Sequence, residues 1–357
     1  MVAKEALERD WSSLLPDVLV ARNLNEICDF VHFRAVCKVW RSSTPVTELP
    51  PQFPWIIEEH INPYYESDSE IIRFYSMHFD KIYTIHSSKL LGKSKALHRQ
   101  SDGYVLAKCF PNPCFLSLLN LLNNHEMPLP AYNFGGWTEW IQPWKNQMGV
   151  HAVCDGSGGC LRPILISCYS GQDNWCTLKL GSDYEHCKLF FLNGMIFSIE
   201  THTGVTKVED ITTGTLAYVI PPIEGYLKYR AGYIVNASGH ILRVIQQNDQ
   251  FSNPYEQFNV YRLKINKSGS GCWVKVKNVG DQALFIDIYE CMVLRANDFA
   301  GIKRNCIYFL TCINQAQGAP FSRVARIDIE TDVREHFPCP LRAERWFVPS
   351  LKRHSAE

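Results

Sequence analysis

No stretch of this 357-residue chain stays apolar for the ~20 residues that a bilayer-spanning helix requires, so no membrane partner is expected. Neither sign of charge is in excess. Lys plus Arg and Asp plus Glu each total 36, which leaves no overall field to draw the chain onto nucleic acid or an anionic membrane. The opening MVAKEALERD mixes acids and bases before any apolar run and is not expected to act as a secretory signal. Motifs that hold metals or phosphates are lacking too. There is no Cys-x-x-Cys pair and no His-Glu-x-x-His, and the spacings Cys109 to Cys114 and Cys306 to Cys312 have no second matching pair. A Gly-x-Ser-x-Gly elbow is missing, and DGSGGC (155–160) reads as a flexible loop. LGKSK (91–95) contains Gly-Lys-Ser, but a P-loop needs a glycine five positions before Gly92, where Ser87 stands. No catalytic residue, cofactor or metal is therefore expected.

What the chain has is apolar material, 46% of its residues, enough for a substantial core. Its 14 cysteines are scattered through a long chain, which fits thiols in a reducing nucleus or cytoplasm, most of them acting as small buried apolar residues. In such a compartment the sequons at Asn236 and Asn266 are chance matches.

The N-terminal segment predicts helices. Ser12 and Ser13 can cap one near Pro16, followed by apolar Leu19, Leu24 and Ile27. Asp29 can cap a second, whose Phe30, Phe33, Cys37 and Trp40 recur at three- and four-residue spacings, with His32, Arg34, Lys38 and Arg41 on its wet side. Ser42, Ser43, Thr44 and Pro45 end it, and LPPQFP (49–54) is too proline-rich to continue. From Trp55 the pattern changes to short β-branched and aromatic runs, among them 71–85, 103–109, 162–170, 174–180, 186–211, 232–247 and 258–276. In KLFFLNGMIFSIE an Asn-Gly pair separates two apolar runs, a strong hairpin signal, and INKSGSGCW joins two more strands through a longer loop. Strand-turn-strand units recur around 190–210, 232–247, 258–285 and 306–330. Such units suit propeller blades, and at roughly 40 to 50 residues each they give six or seven. A pair of β-sandwiches fits the spacing as well. The acidic EEHINPYYESDSE (58–70) and the basic HSSKLLGKSKALHR (86–99) read as solvated loops.

Two or three short helices cannot bury enough surface to stand alone, so Leu15, Leu19, Phe33, Val36, Cys37 and Trp40 need either the β domain or a partner to cover them. WSSLLPDVL followed by DFVHFRAVCKVWRSS resembles an F-box, the helical module that docks on the Skp-family adaptor of a cullin ubiquitin ligase. The stretches PWII, GYVLAKC with LSLLNLLNNHEMPLP, NWCTLKL, KLFFLNGMIFSIETHTGVTKVEDI, WVKVKNVGDQALFID and RWFVPSLKRH resemble, in order, the KIB-type propeller, or domain of unknown function 295, that follows an F-box in a plant family. The resemblance implies an F-box over 10–45, a linker over 46–54 and a propeller over 55–350, a mainly β fold with a small helical start. It implies that Leu15, Pro16, Leu19, Phe33, Val36, Cys37 and Trp40 bind the adaptor, and through it a cullin, while the propeller captures a protein target. The family places an apolar residue about seven positions after the proline, where this chain has Asn23. A second reading therefore stands beside the first, in which a shortened F-box serves only as a structural cap. A third places an enzyme site in a propeller's central channel.

Overall fold

Asn193 and Gly194 both have positive φ, 52° and 75°, the conformation a two-residue hairpin turn demands and Asn-Gly supplies at least cost. They join Cys187–Leu192 to Met195–Glu200 in register from Cys187↔Glu200 to Leu192↔Met195, as the sequence predicts. In a computed structural model of the chain the same construction recurs from end to end. The structure describes residues 24–351 apart from 25, 50, 59–70, 87–94, 102, 110–114, 131–137, 145–146, 156–162, 170–171, 178–186, 226–231, 248–256, 267–268, 288–289, 300, 314–320 and 342.

Two helices come first, α1 (Ile27–Val36) and α2 (Lys38–Ser43). Strands β1 (Trp55–Glu58), β2 (Ile71–Ser76) and β3 (Lys81–His86) follow, and Ala343–Phe347 at the other end of the chain pairs with β1 to complete the first sheet. Among the described residues there are six sheets in all. Five have four antiparallel strands, in simple succession in all but the first. The sixth has five, because Gln282–Ile286 turns back through Cys291–Arg295 and then pairs in parallel with Cys306–Ile313. The arrangement is propeller-like rather than a pair of sandwiches: edge strands of neighbouring sheets lie against one another, Lys95–Ser101 by Thr138–Trp144 and Gly232–Ala237 by Cys291–Arg295.

Shared apolar clusters bind the sheets in sequence. One runs through the fourth, fifth and sixth and includes Phe197, Val244 and Ile307. Another joins the sixth to the first through Phe285, Tyr308 and Trp346, a third joins the first to the second through Phe74, Leu119 and Phe347, and a fourth joins the second to the third through Leu118 and Val150. The closure by the last strand is antiparallel, Trp55↔Phe347 and Ile56↔Trp346. Trp346 is buried, donates from its indole nitrogen to Ile286 O at 3.0 Å, and its backbone N–H donates to Asp287 Oδ2 at 3.1 Å. Tyr233 in the fifth sheet donates to Asp287 O at 2.6 Å. Beyond the closing strand, Asn120 and Asn123 of the second sheet's edge donate to Ser350 O and Leu351 O. Gly103, at φ +81°, lets this segment pass: a Cβ there would lie 2.7 Å from Ser350 Cβ.

Several expectations need correction. The repeat placed at 258–285 spans two sheets, because Gly271–Val276 ends the fifth and Gln282–Ile286 belongs to the sixth. Lys95–Ser101 is a strand, so the end of the basic stretch 86–99 is not loop, and Glu58 is a strand residue, buried and paired with Arg73. His86 ends β3; the remainder of both charged stretches, the DGSGGC loop past Asp155, and the helix expected near Pro16 lie outside the described residues. The nine cysteines whose side chains the structure describes are free thiols, but only Cys168, Cys306 and Cys339 of these are buried; Cys176 and Cys272, on the edge strands of their sheets, are exposed. Burial pushes the Cys168 thiol up to about 11. Asn236, in the strand Gly232–Ala237, and Asn266 brace the turns that follow them, accepting from Gly239 N at 2.9 Å and Ser270 N at 2.8 Å.

Candidate functional site: the N-terminal helical pair

The region that the sequence singled out is built from α1, α2 and the segment leading to β1. The second predicted helix does not start at Asp29. It starts at Ile27, with Glu26 in the N-cap position and making no side-chain cap bond, while Asp29 lies in the first turn, where its charge suits the helix dipole. The helix also breaks where the apolar spacing reads as continuous. Cys37 is fully extended, at φ −156° and ψ 168°, and caps α2 by accepting from Trp40 N at 3.4 Å. A thiol that ends one helix and starts another leaves no trace in a three- and four-residue pattern.

The break folds the pair onto itself. Phe33 and Trp40 stack with ring centroids 4.3 Å apart and planes inclined by 18°. Arg34 donates to Arg41 O at 3.0 Å and Arg41 donates to Arg34 O at 3.2 Å, so two like charges tie the helices through backbone carbonyls. Arg34 also lies over the Phe30 ring, 5.6 Å from its centroid. At the end of α2 the hydroxyls of Ser42, Ser43 and Thr44 donate to the carbonyls of Val39 and Trp40, as SSTP predicts for a helix stop.

Ile27, Phe30 and Phe33, three residues apart, form the buried face of α1. Ile27 belongs to the cluster of Trp55, Phe74 and Phe347, so α1 is seated on the first sheet by its first turn. Three valines of the pair are uncovered, interspersed with exposed Asp29, His32, Lys38 and Arg41. Val31 is 43% exposed, Val36 60% and Val39 49%, within nine residues of one another and alongside exposed Ala35. Trp40 Nε1 is buried with no hydrogen-bond partner. Of the residues singled out from sequence, the structure thus gathers Phe33, Val36, Cys37 and Trp40 into one small unit, with Phe33 buried beneath Trp40 and Val36 at the surface. Leu15, Pro16 and Leu19 lie outside the described residues. Sequence reasoning missed Val31 and Val39. Their signal was present, since Val36 and Val39 are three apart, but it was masked by the assumption of one unbroken helix.

The segment 46–54 is packed rather than free. Gln52 and Phe53 are buried, Leu49 packs on the cluster that holds Ile27, and Val46–Glu48 forms a short 3-10 turn. Among the described residues no group of three or more His, Cys, Asp or Glu side chains could hold a metal ion, and no described helix is long and apolar enough to cross a membrane. The helical pair carries no constellation for bond-making chemistry. What it offers is an apolar surface on a rigid support.

The fold is thus a mainly β, propeller-like set of sheets with a helical pair seated on its first sheet. Residues 74–335 match the KIB1-4 beta-propeller family, and the chain belongs to that family. It is similar to an F-box protein of Arabidopsis thaliana, 23% identical with 96% of this chain and 97% of that one covered. It is similar as well to F-box protein KIB3 of the same plant, 23% identical over 79% of this chain and 66% of that one, and to F-box protein KIB4, 23% identical over 79% and 77%. Among solved structures, TolB from Acinetobacter baumannii overlays with a TM-score of 0.47 at 9% identity, covering 82% of this chain and 64% of that one.

Proposed function

We propose that this protein is the substrate-recognition subunit of a Skp-cullin-F-box ubiquitin ligase: an F-box over residues 10–45 binds a Skp-family adaptor, and the propeller over 55–350, its six sheets serving as six blades, binds a protein target. The observation that carries this reading is the uncovered apolar surface of Val31, Val36 and Val39 on helices whose other face is seated on the first sheet. Exposed valines on a six- to ten-residue helix cost solubility unless something covers them. F-box names among the relatives supply the chemistry of the cover. Adaptor binding is assigned to Leu15, Pro16, Leu19, Phe33, Val36, Cys37 and Trp40, with Val31 and Val39 added from the exposed surface. The protein itself is non-catalytic in this reading, and it works in the nucleus or cytoplasm.

A specific observation favours the structural-cap reading, namely that Ile27 is part of the propeller's core. The two readings separate in one experiment. Full-length protein is co-expressed with a Skp-family adaptor, beside a Leu15→Ala, Pro16→Ala, Trp40→Ala variant whose fold is checked by circular dichroism. A 1:1 complex that is lost only in the folded variant supports the receptor. Failure of the wild type to bind any such adaptor overturns it and leaves the cap.

A further inference from the structure

The contacts that seat α1 are more specific than hydrophobic packing requires. Glu26, at the N-cap position, is buried, its side chain 4% exposed, and its Oε2 accepts from Lys81 Nζ at 3.0 Å. Lys81 begins β3, the outer strand of the first sheet, 55 residues further along the chain, and its own side chain is 56% exposed. The first helical N–H, of Ile27, has no intrahelical acceptor and donates instead to Gln52 Oε1 at 2.9 Å in a buried bond. Gln52 lies three residues before β1. The Ile27 side chain completes the site, buried in the cluster of Trp55, Phe74 and Phe347. Three consecutive features at one helix end, a charge, a backbone donor and an apolar side chain, are therefore held respectively by β3, by the segment before β1 and by the first sheet's core.

Geometry of this kind fixes direction as well as position. An apolar contact alone lets a helix roll or pivot, whereas a buried carboxylate and a backbone N–H tied to two different elements leave it one orientation. The hydrogen bond and charge of Glu26 raise the pKa of Lys81. Val31, Val36 and Val39 stay exposed and take no part in this seat.

We infer that Glu26, Ile27, Gln52 and Lys81 form a latch that holds the helical pair at one fixed orientation on the first sheet, so that whatever binds Val31, Val36 and Val39 is carried at a set angle and distance from the propeller. The inference rests on the proposed function for the identity of that bound protein, a Skp-family adaptor, and on the structure alone for the latch. For a ligase receptor the consequence is that Glu26, Gln52 and Lys81 are positioning residues: they touch neither adaptor nor target, and they set the reach between them.

The test uses the full chain and two latch variants, Lys81→Met with Gln52→Ala, and Glu26→Gln. Lys81→Met keeps an apolar stem of similar length and removes only the charge-assisted bond. Hydrogen exchange followed by mass spectrometry reads the latch directly. Amides of Ile27–Val36 should exchange about tenfold faster in the variants, the scale of one lost bond to a charged group, while Trp55–Glu58 and Phe321–Asp328 keep wild-type protection. Unchanged exchange in Ile27–Val36 in both variants overturns the latch, whatever the adaptor does. Small-angle scattering of the adaptor complex reads the consequence. The variants should bind the adaptor with the same dissociation constant within twofold, yet give a broader pair-distance distribution with a larger maximum dimension. Identical distributions overturn the positioning role. If the wild type binds no adaptor, the functional reading fails and the exchange measurement still decides the latch.

Discussion

The closing seam of the propeller and the helical pair use aromatic residues in opposite ways. At the seam Trp346 is buried, its indole N–H and its backbone N–H both have acceptors, and Phe285, Phe74 and Phe347 surround the join. In the helical pair Trp40 is partly exposed, its Nε1 has no hydrogen-bond partner, and its ring stacks on Phe33. Three valines beside it face solvent. The seam is finished by the chain itself, whereas the helices are finished on one side only. This contrast carries the functional proposal more than any single residue does.

Breaking the seam should cost most. Trp346→Ala removes a fully buried indole and leaves Ile286 O and its surroundings around a cavity, for an expected loss of about 3–5 kcal/mol in urea unfolding monitored by intrinsic fluorescence. A loss under about 1 kcal/mol would mean that the last strand does not close the ring. Ile27→Ala tests the seat of the helices. It should cost roughly 2 kcal/mol or more if Ile27 belongs to the propeller's core, and nearly nothing if the pair is independent of it. Gly103→Ala is smaller and separates a different element: a left-handed φ of +81° and the close approach of Ser350 predict a loss of about 1–2 kcal/mol, which truncation after residue 347 should partly relieve. The least effect comes from acid. Hydrogen bonds from Arg326, and next from Lys303, hold the Glu335 carboxyl down at about 2. A depressed carboxylate contributes above its unfolded value, near 4.3, and its contribution fades as pH falls from there toward about 2. Glu335→Gln should therefore lower stability at neutral pH and flatten the acid limb, its difference from wild type closing as pH falls through that window; an equal offset at every pH would contradict the assignment.

Thiol reactivity sharpens the same division between finished and unfinished surface. Cys176 and Cys272 should react with a maleimide in the folded protein, and Cys168, Cys306 and Cys339 only after unfolding, as peptide mapping would show.

Much of the fold was legible because its signals are local. Asn193-Gly194 dictates a hairpin through backbone conformation alone, and strand-length apolar runs between polar turns mark most of the sheets. The parallel pairing of Gln282–Ile286 with Cys306–Ile313 was not legible, since the crossover is set by packing among distant strands and not by any turn motif. Nor was the partner of β1, which lies at the far end of the chain. In the helical pair, the spacing of Phe33 and Trp40 announced their contact and SSTP the stop, yet the break at Cys37 was hidden, because an extended residue between two helices keeps their apolar periods almost in phase. Glu26 and Lys81 could not have been matched from sequence: each reads as one more surface charge until the fold buries one of them.

The central claim is that the uncovered side of the helical pair is made for a Skp-family adaptor. Its most direct test is the dissociation constant for that adaptor by isothermal titration calorimetry, wild type against a Val36→Asp, Val39→Asp variant. Both valines are already exposed, so the substitutions should leave stability within about 0.5 kcal/mol of wild type. The account predicts a binding wild type and a variant weakened at least tenfold, about 1.4 kcal/mol, with an unchanged melting temperature. Equal affinities for the two proteins would contradict it.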